Sequence, residues 1–190
     1  MKKLQAMVAL LALLAGVCAA AGDGVTRGDV SEIGSGFQFT EGPAWHPEGA
    51  LVFTDIPANT IYWLTEDGDA EVYRRPSGNA NGLAFDAQGR LLSCEHGNRR
   101  VSITRRSGPE TLVDSYRGKR LNSPNDLVVK SDGSIYFTDP PYGVSDDARE
   151  LDFQGVYRIG PDGEELSLLA KDFVRPNGIA FSPDEETLYV

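Results

Sequence analysis

Glu41-Gly42-Pro43-Ala44-Trp45, Asn81-Gly82-Leu83-Ala84-Phe85, Asn125-Asp126-Leu127-Val128-Val129 and Asn177-Gly178-Ile179-Ala180-Phe181 are four copies of one phrase. Each opens on a polar side chain and runs into a short apolar strand. Eight residues after the first position stand Gly49, Gly89 and Gly133, with Glu185 in the fourth copy. Turn formers surround that position: His46-Pro47-Glu48, Asp86-Ala87-Gln88, Ser131-Asp132 and Ser182-Pro183-Asp184. A second apolar strand follows, at Leu51-Val52-Phe53, Leu91-Leu92, Ile135-Tyr136-Phe137 and Leu188-Tyr189-Val190. Each phrase is therefore a hairpin.

The copies start 40, 44 and 52 residues apart, and further strand-like runs lie between them. In the first copy these are 61–64 and 71–73, joined at Glu66-Asp67-Gly68. In the third they are 156–159 and 166–169, joined at Pro161-Asp162-Gly163. Asp-Gly between apolar runs signals a hairpin, because both residues tolerate positive φ. Four strands per repeat of ~40–50 residues is the arithmetic of a β-propeller. No long helical period follows residue 21, which disfavours α/β folds. A β-sandwich is the competing all-β reading, but it rarely repeats so regularly.

Fourteen residues after the first position come Asp55, Glu95 and Asp139. A hairpin that turns near position eight returns position fourteen to the end where it began. In a propeller the first strand lines the central channel. Two rings are therefore expected at one channel mouth: Glu41, Asn81, Asn125 and Asn177, then Asp55, Glu95 and Asp139. A single Asn or Asp at a strand end usually just satisfies turn backbone. Four in register, one of them a Glu that would be costly to bury alone, point to a cation site.

Lys2 and Lys3 precede an apolar stretch from Met7 to Val17, the layout of an export signal. The stretch is too short to span a membrane, which takes ~20 apolar residues. Small residues around Cys18-Ala19-Ala20-Ala21 offer cleavage; lipid attachment at Cys18 is the competing reading. The chain is expected to divide into a signal at 1–21, a linker at 22–36 and a partial propeller at 37–190. An exported product is periplasmic or secreted. Losing Lys2 and Lys3 takes the net charge from −10 to −12. That sign repels nucleic acid and anionic lipid, and suits a cation or a small neutral substrate. Only Cys94 remains after cleavage, so no internal disulfide can form.

These stretches resemble the gluconolactonase, regucalcin (senescence marker protein) and luciferin-regenerating-enzyme family. The likeness is carried by Thr40-Glu41-Gly42-Pro43-Ala44-Trp45, Leu51-Val52-Phe53-Thr54-Asp55-Ile56, Ser123-Pro124-Asn125-Asp126-Leu127, Phe137-Thr138-Asp139 and Arg175-Pro176-Asn177-Gly178. Leu121 to Asp126 and Cys94 to Asn98 look most like bacterial gluconolactonases. The resemblance implies a propeller of about six blades, of which about three and a half would lie before Val190. It implies a divalent cation in the channel, with Glu41 and Asn177 as ligands and Asn125 facing substrate. The family's second metal carboxylate, also its proposed general base, would fall past Val190. Family lactonases often carry an arginine two residues before the substrate asparagine. Ser123 stands there, with Arg120 and Asn122 nearby as substrate-side candidates.

Carboxylate and amide oxygens are hard ligands that suit Ca²⁺ first, then Mg²⁺ or Mn²⁺. The implied activity is opening of a small-molecule sugar lactone. The alternative is a non-catalytic Ca²⁺-binding propeller that holds a ligand or protein partner. Taken by itself, the stretch up to Val190 is expected to be poorly stable and inactive. His46 reads as a surface turn, and Arg99-Arg100 with Arg105-Arg106 as a solvated edge strand. Trp45, Phe85 and Phe181 read as core. His96 reads either as a site residue or as loop packing. Pro140 to Gln154, on the site face, reads either as a lid or as an exposed insertion.

Overall fold

A computed structural model describes residues 29–65 and 67–190. The expected export signal, the first part of the expected linker, Cys18 and Glu66 lie outside the described residues. Residues 1–35 and 36–190 form two units, and residues 29–35 of the first carry no regular structure. Everything below concerns the second.

The first four strands are β1 (Thr40–His46), β2 (Ala50–Asp55), β3 (Thr60–Leu64) and β4 (Ala70–Arg74). The next are β5 (Ala80–Phe85), β6 (Leu91–Glu95), β7 (Arg100–Arg105) and β8 (Gly108–Val113). A small hairpin, β9 (Ser115–Tyr116) with β10 (Lys119–Arg120), leads to β11 (Leu127–Val129), β12 (Ile135–Asp139), β13 (Gly155–Ile159) and β14 (Leu166–Ala170). β15 (Ala180–Phe181) pairs with β16 (Leu188–Tyr189). Each set of four is an antiparallel meander in sequence order. The first strands neighbour one another in turn, β1 to β5, β5 to β11 and β11 to β15. These are three propeller blades and the opening hairpin of a fourth, with first strands innermost.

Local chemistry fixes the hairpins. Gly49, Gly89 and Gly133 have positive φ, and their N–H groups donate to the carbonyls of His46, Asp86 and Lys130. Glu185 takes the same left-handed conformation (φ 56°) and donates to Ser182. The turn geometry therefore survives the loss of its glycine.

The core lies between blade faces. Val52, Ile61, Ala80, Leu83 and Leu91 pack blade one onto blade two. Leu92, Cys94, Val101, Phe137 and Tyr157 join blades two and three, with the Phe137 and Tyr157 rings stacked 5.1 Å apart. Each large apolar side chain so buried stabilises the fold by ~1.5–3 kcal/mol.

Three expectations are corrected here. Trp45 is 46% exposed and Phe181 is half-buried, whereas Phe85, also half-buried, does pack against the core between blades one and two. Side chains alternate across a strand, so Trp45 points away from the face on which Ala44 packs. Among the described residues, no blade covers that outer face. His46 is not a bare surface turn, because its ring lies 4.6 Å from Trp63 and 4.8 Å from Phe85. β7 is no edge strand: it sits between β6 and β8, Arg99 is buried, and Arg100 pairs with Glu95 at 2.7 Å.

Candidate functional site

In the first two phrases the first position is placed by a bulge. In blade one the register shifts between Glu41 and Ala44, and in blade two between Ala80 and Leu83. One extra residue on the inner strand re-aims the side chain beside it. The inner strands are then stitched edge to edge. Thr54 Oγ1 donates to the Asn81 carbonyl at 3.1 Å. The Gly82 N–H donates to the Asn125 carbonyl at 2.8 Å. Thr138 Oγ1 donates to the Asn177 carbonyl at 2.7 Å. The first-position carbonyls of copies two, three and four are thus each held by the preceding copy.

The side chains differ. Asn125 is 3% exposed, and its amide bonds to no described residue. Asn81 is buried, with Nδ2 3.4 Å from His96 Nε2. Glu41 is half-buried and, among the described residues, its carboxylate hydrogen-bonds only to the N–H of Gly42, at 3.4 Å. Asn177 is exposed. Burial pulls His96 down to about 4, so it is neutral near pH 7. Burial likewise pushes the Cys94 thiol well up, which makes it a packing residue and not a nucleophile.

Asp126 was not singled out by sequence reading. It occupies the position that Gly42, Gly82 and Gly178 hold in the other copies. Burial raises its carboxyl to about 6 against two backbone hydrogen bonds, and the charge of Glu41 adds to the rise. The two acids therefore share one neighbourhood. A half-buried carboxylate beside a buried amide with no described partner fits a hard cation such as Ca²⁺. No group of three or more His, Cys, Asp or Glu side chains is arranged around a metal position among the described residues.

The second ring is not open to the channel. Asp55 accepts the N–H groups of Gln38 and Phe39 at 2.9 and 3.2 Å. Asp139 accepts those of Asn122 and Ser123 at 2.8 and 2.7 Å. Both acids latch the segment that enters their own blade. For Glu95, burial works upward, but hydrogen bonds from Arg100, Asn98 and Ser102 and the charge of Arg74 outweigh it and lower its pKa. Spacing had placed all three at the correct end of their strands, but not what they touch there. Asn122 is also corrected: it is fully buried, and Nδ2 donates to the carbonyls of Asp139 and Phe153. Arg120 is exposed, with its guanidinium on the Asn98 carbonyl at 3.0 Å.

Burial also raises Asp139 to about 7, despite its N–H donors and the charges of Arg99 and Arg149. A folded carboxyl above its unfolded value keeps a proton that the unfolded chain has released. Its stabilising effect is fully present below about pH 4 and is lost as pH rises through about 7. Asp126 acts in the same sense. Wild-type protein is therefore expected to melt lower at about pH 8 than at about pH 5, and Asp139→Asn to flatten that slope. Melting curves at both pH values check this; an unchanged slope in the variant removes Asp139 as its source.

The loop from Pro140 to Gln154 is tied down rather than free. The Gly143 N–H donates to Ser123 Oγ at 3.0 Å, Arg99 Nη1 reaches the Ala148 carbonyl at 3.1 Å, and the Arg120 N–H meets Glu150 Oε2 at 2.7 Å. Gly143 lies against His96, where an added Cβ would stand 3.0 Å from that of the histidine. Ser123 thus serves the loop, and His96 packs beneath it.

Residues 39–190 match the family described as SMP-30/Gluconolactonase/LRE-like region. A gluconolactonase of Zymomonas mobilis is 38% identical over 183 residues, which cover 85% of this chain and 51% of that protein. The solved structure of a gluconolactonase from Xanthomonas campestris matches with a TM-score of 0.76 at 44% identity, over 80% of this chain and 54% of that one. A streptogramin B lyase, at 16% identity and a TM-score of 0.57, covers 77% of this chain and 46% of its own, and shows the fold alone. The chain spans about half the length of the relatives it matches.

Proposed function

Because this chain belongs to the SMP-30/gluconolactonase/LRE-like family, we propose that the whole protein opens sugar lactones by cation-assisted addition of water. The observation that carries this is the inner edge itself. Glu41, the buried Asn125 and the stitched backbone of Asn177 stand at the matching first positions of their copies, in a chain 38% identical to a gluconolactonase.

Glu41 and Asn177 would hold the cation, most simply Ca²⁺, with Mg²⁺ and Mn²⁺ as alternatives. Bound there, it supplies Lewis acidity toward the lactone carbonyl oxygen. Asn125 orients the substrate by hydrogen bonding to its ring oxygens. Asn81, steadied by neutral His96, lines the neighbouring wall. Asp126 is a poor candidate for taking the water's proton, because both its oxygens already accept backbone N–H groups. The base is assigned to the aspartate that the family resemblance puts beyond Val190. We also propose, from Lys2, Lys3 and the apolar stretch that follows them, that the protein is exported and acts in the periplasm or outside the cell.

The test uses the whole protein and gluconolactone. Hydrolysis is expected, lost with a chelator and restored by Ca²⁺, Mg²⁺ or Mn²⁺. Full activity after thorough metal removal would refute cation assistance. Ca²⁺ binding without lactone opening would favour the non-catalytic reading.

A further inference from the structure

At the residue after each phrase's first position, three copies have glycine and the third has Asp126. The neighbouring glycine makes the space for it. A Cβ at Gly82 would stand 2.5 Å from Asp126 Oδ1 and 2.6 Å from Asp126 Cα. Into that gap the third copy places a half-buried carboxylate, and both its oxygens are used. Oδ1 accepts the Leu127 N–H at 2.9 Å, within its own blade. Oδ2 crosses to the fourth copy and accepts the Ile179 N–H at 3.1 Å. Its backbone carbonyl accepts the Thr138 N–H at 3.0 Å. Its own N–H reaches Thr138 Oγ1 at 3.3 Å, and the same hydroxyl donates to the Asn177 carbonyl.

We infer that Asp126 is a positioning residue. Its carboxylate, together with the Thr138 hydroxyl that its backbone N–H meets, forms a clasp that fixes Asn177 at the inner edge. The clasp grips the fourth copy on both sides of Gly178, at the carbonyl of Asn177 and the N–H of Ile179. The Asn177 backbone then has little freedom to turn about the flexible glycine. In copies two and three the first-position carbonyl is held by one hydrogen bond, from Thr54 to Asn81 or from Gly82 to Asn125, while arginine contacts such as Arg74 to Ser93 and Arg99 to Leu121 join those blades farther out. Double anchoring occurs where the proposed ligand precedes a strand of only two residues, Ala180–Phe181. Residues that orient a ligand from behind typically affect metal affinity by ~10–100-fold.

This rests on the proposed reading of the site, and the experiment separates the two. Asp126→Gly makes the third copy like the others, and Asp126→Asn keeps one carbonyl acceptor. Thr138→Val removes the other half of the clasp. In the whole protein, three quantities are measured: amide exchange at Ile179, Ca²⁺ affinity by calorimetry, and kcat and KM on gluconolactone. Asp126→Gly is expected to speed Ile179 exchange and weaken Ca²⁺ binding by roughly tenfold or more, with Asp126→Asn intermediate and Thr138→Val weakening Ca²⁺ in the same direction. Unchanged Ile179 exchange overturns the clasp. A lower melting temperature with unchanged Ca²⁺ affinity overturns the positioning role in favour of a purely structural one. Loss of kcat in Asp126→Asn, with Ca²⁺ affinity and KM intact, overturns it in favour of proton transfer. Wild-type protein that takes up no divalent cation overturns the reading of function, and Ile179 exchange still decides whether the clasp exists.

Discussion

Glu41→Gln in the whole protein is expected to lower kcat/KM for a sugar lactone by roughly 10²–10³-fold, since cation stabilisation of the developing charge amounts to several kcal/mol. The substitution keeps shape and volume, so a fall in rate cannot be assigned to a cavity. What it removes is charge. Asn81, Asn125 and Asn177 contribute neutral amides, and Glu41 is the only carboxylate at the four matching positions. Cation affinity tracks the number of charged ligands, so Ca²⁺ binding is expected to weaken alongside the rate, with partial recovery at high Ca²⁺. The change also reaches Asp126, whose carboxyl the Glu41 charge helps to raise. Stability should shift little, because among the described residues the Glu41 carboxylate accepts one hydrogen bond, from the N–H of its neighbour at 3.4 Å. Calorimetry and steady-state kinetics on one preparation check both effects. A variant that keeps wild-type rate and Ca²⁺ affinity would remove Glu41 from the cation site.

The repeat was legible because it is local. A polar residue, an apolar run, a turn and a second run lie within about fifteen residues, and hairpin geometry follows from turn chemistry alone. What failed to show depends on partners far along the chain. Asp139 is found by counting from Asn125, but its role is set by the N–H groups of Asn122 and Ser123, which exist as donors only once the entry segment folds back. Arg100 looked like solvated charge until Glu95, on the neighbouring strand, was seen to be buried beneath it. Trp45 follows the core pattern along β1, yet burial also needs a blade on that face. Asp126 is a different case. The break in the glycine pattern was visible in the four phrases, and its meaning appears once Gly82 is seen to make its space.

The glycines of that pattern carry the second large prediction. Gly42→Ala is expected to destabilise the protein by about 3–5 kcal/mol, combining a left-handed backbone with overpacking. Gly42 has φ +50°, and an added Cβ would stand 1.9 Å from the Asn81 carbonyl oxygen and 2.8 Å from its carbon. These are backbone atoms of the next blade, so no rotamer change can relieve the contact. The inner edges of blades one and two must separate. That stretches the Thr54 to Asn81 hydrogen bond and moves Glu41 away from the other first-position groups. Gly49→Ala is the control. Gly49 also has positive φ, at +93°, but nothing lies within 4 Å of its added Cβ, so only the backbone cost of ~1–2 kcal/mol remains. Denaturant midpoints of the two variants isolate the close approach from the conformational cost. Gly42→Ala should also lose Ca²⁺ binding, which Gly49→Ala retains. Equal destabilisation by the two variants would mean that the blades do not meet at Gly42 as closely as described, and the stitched inner edge would have to be redrawn.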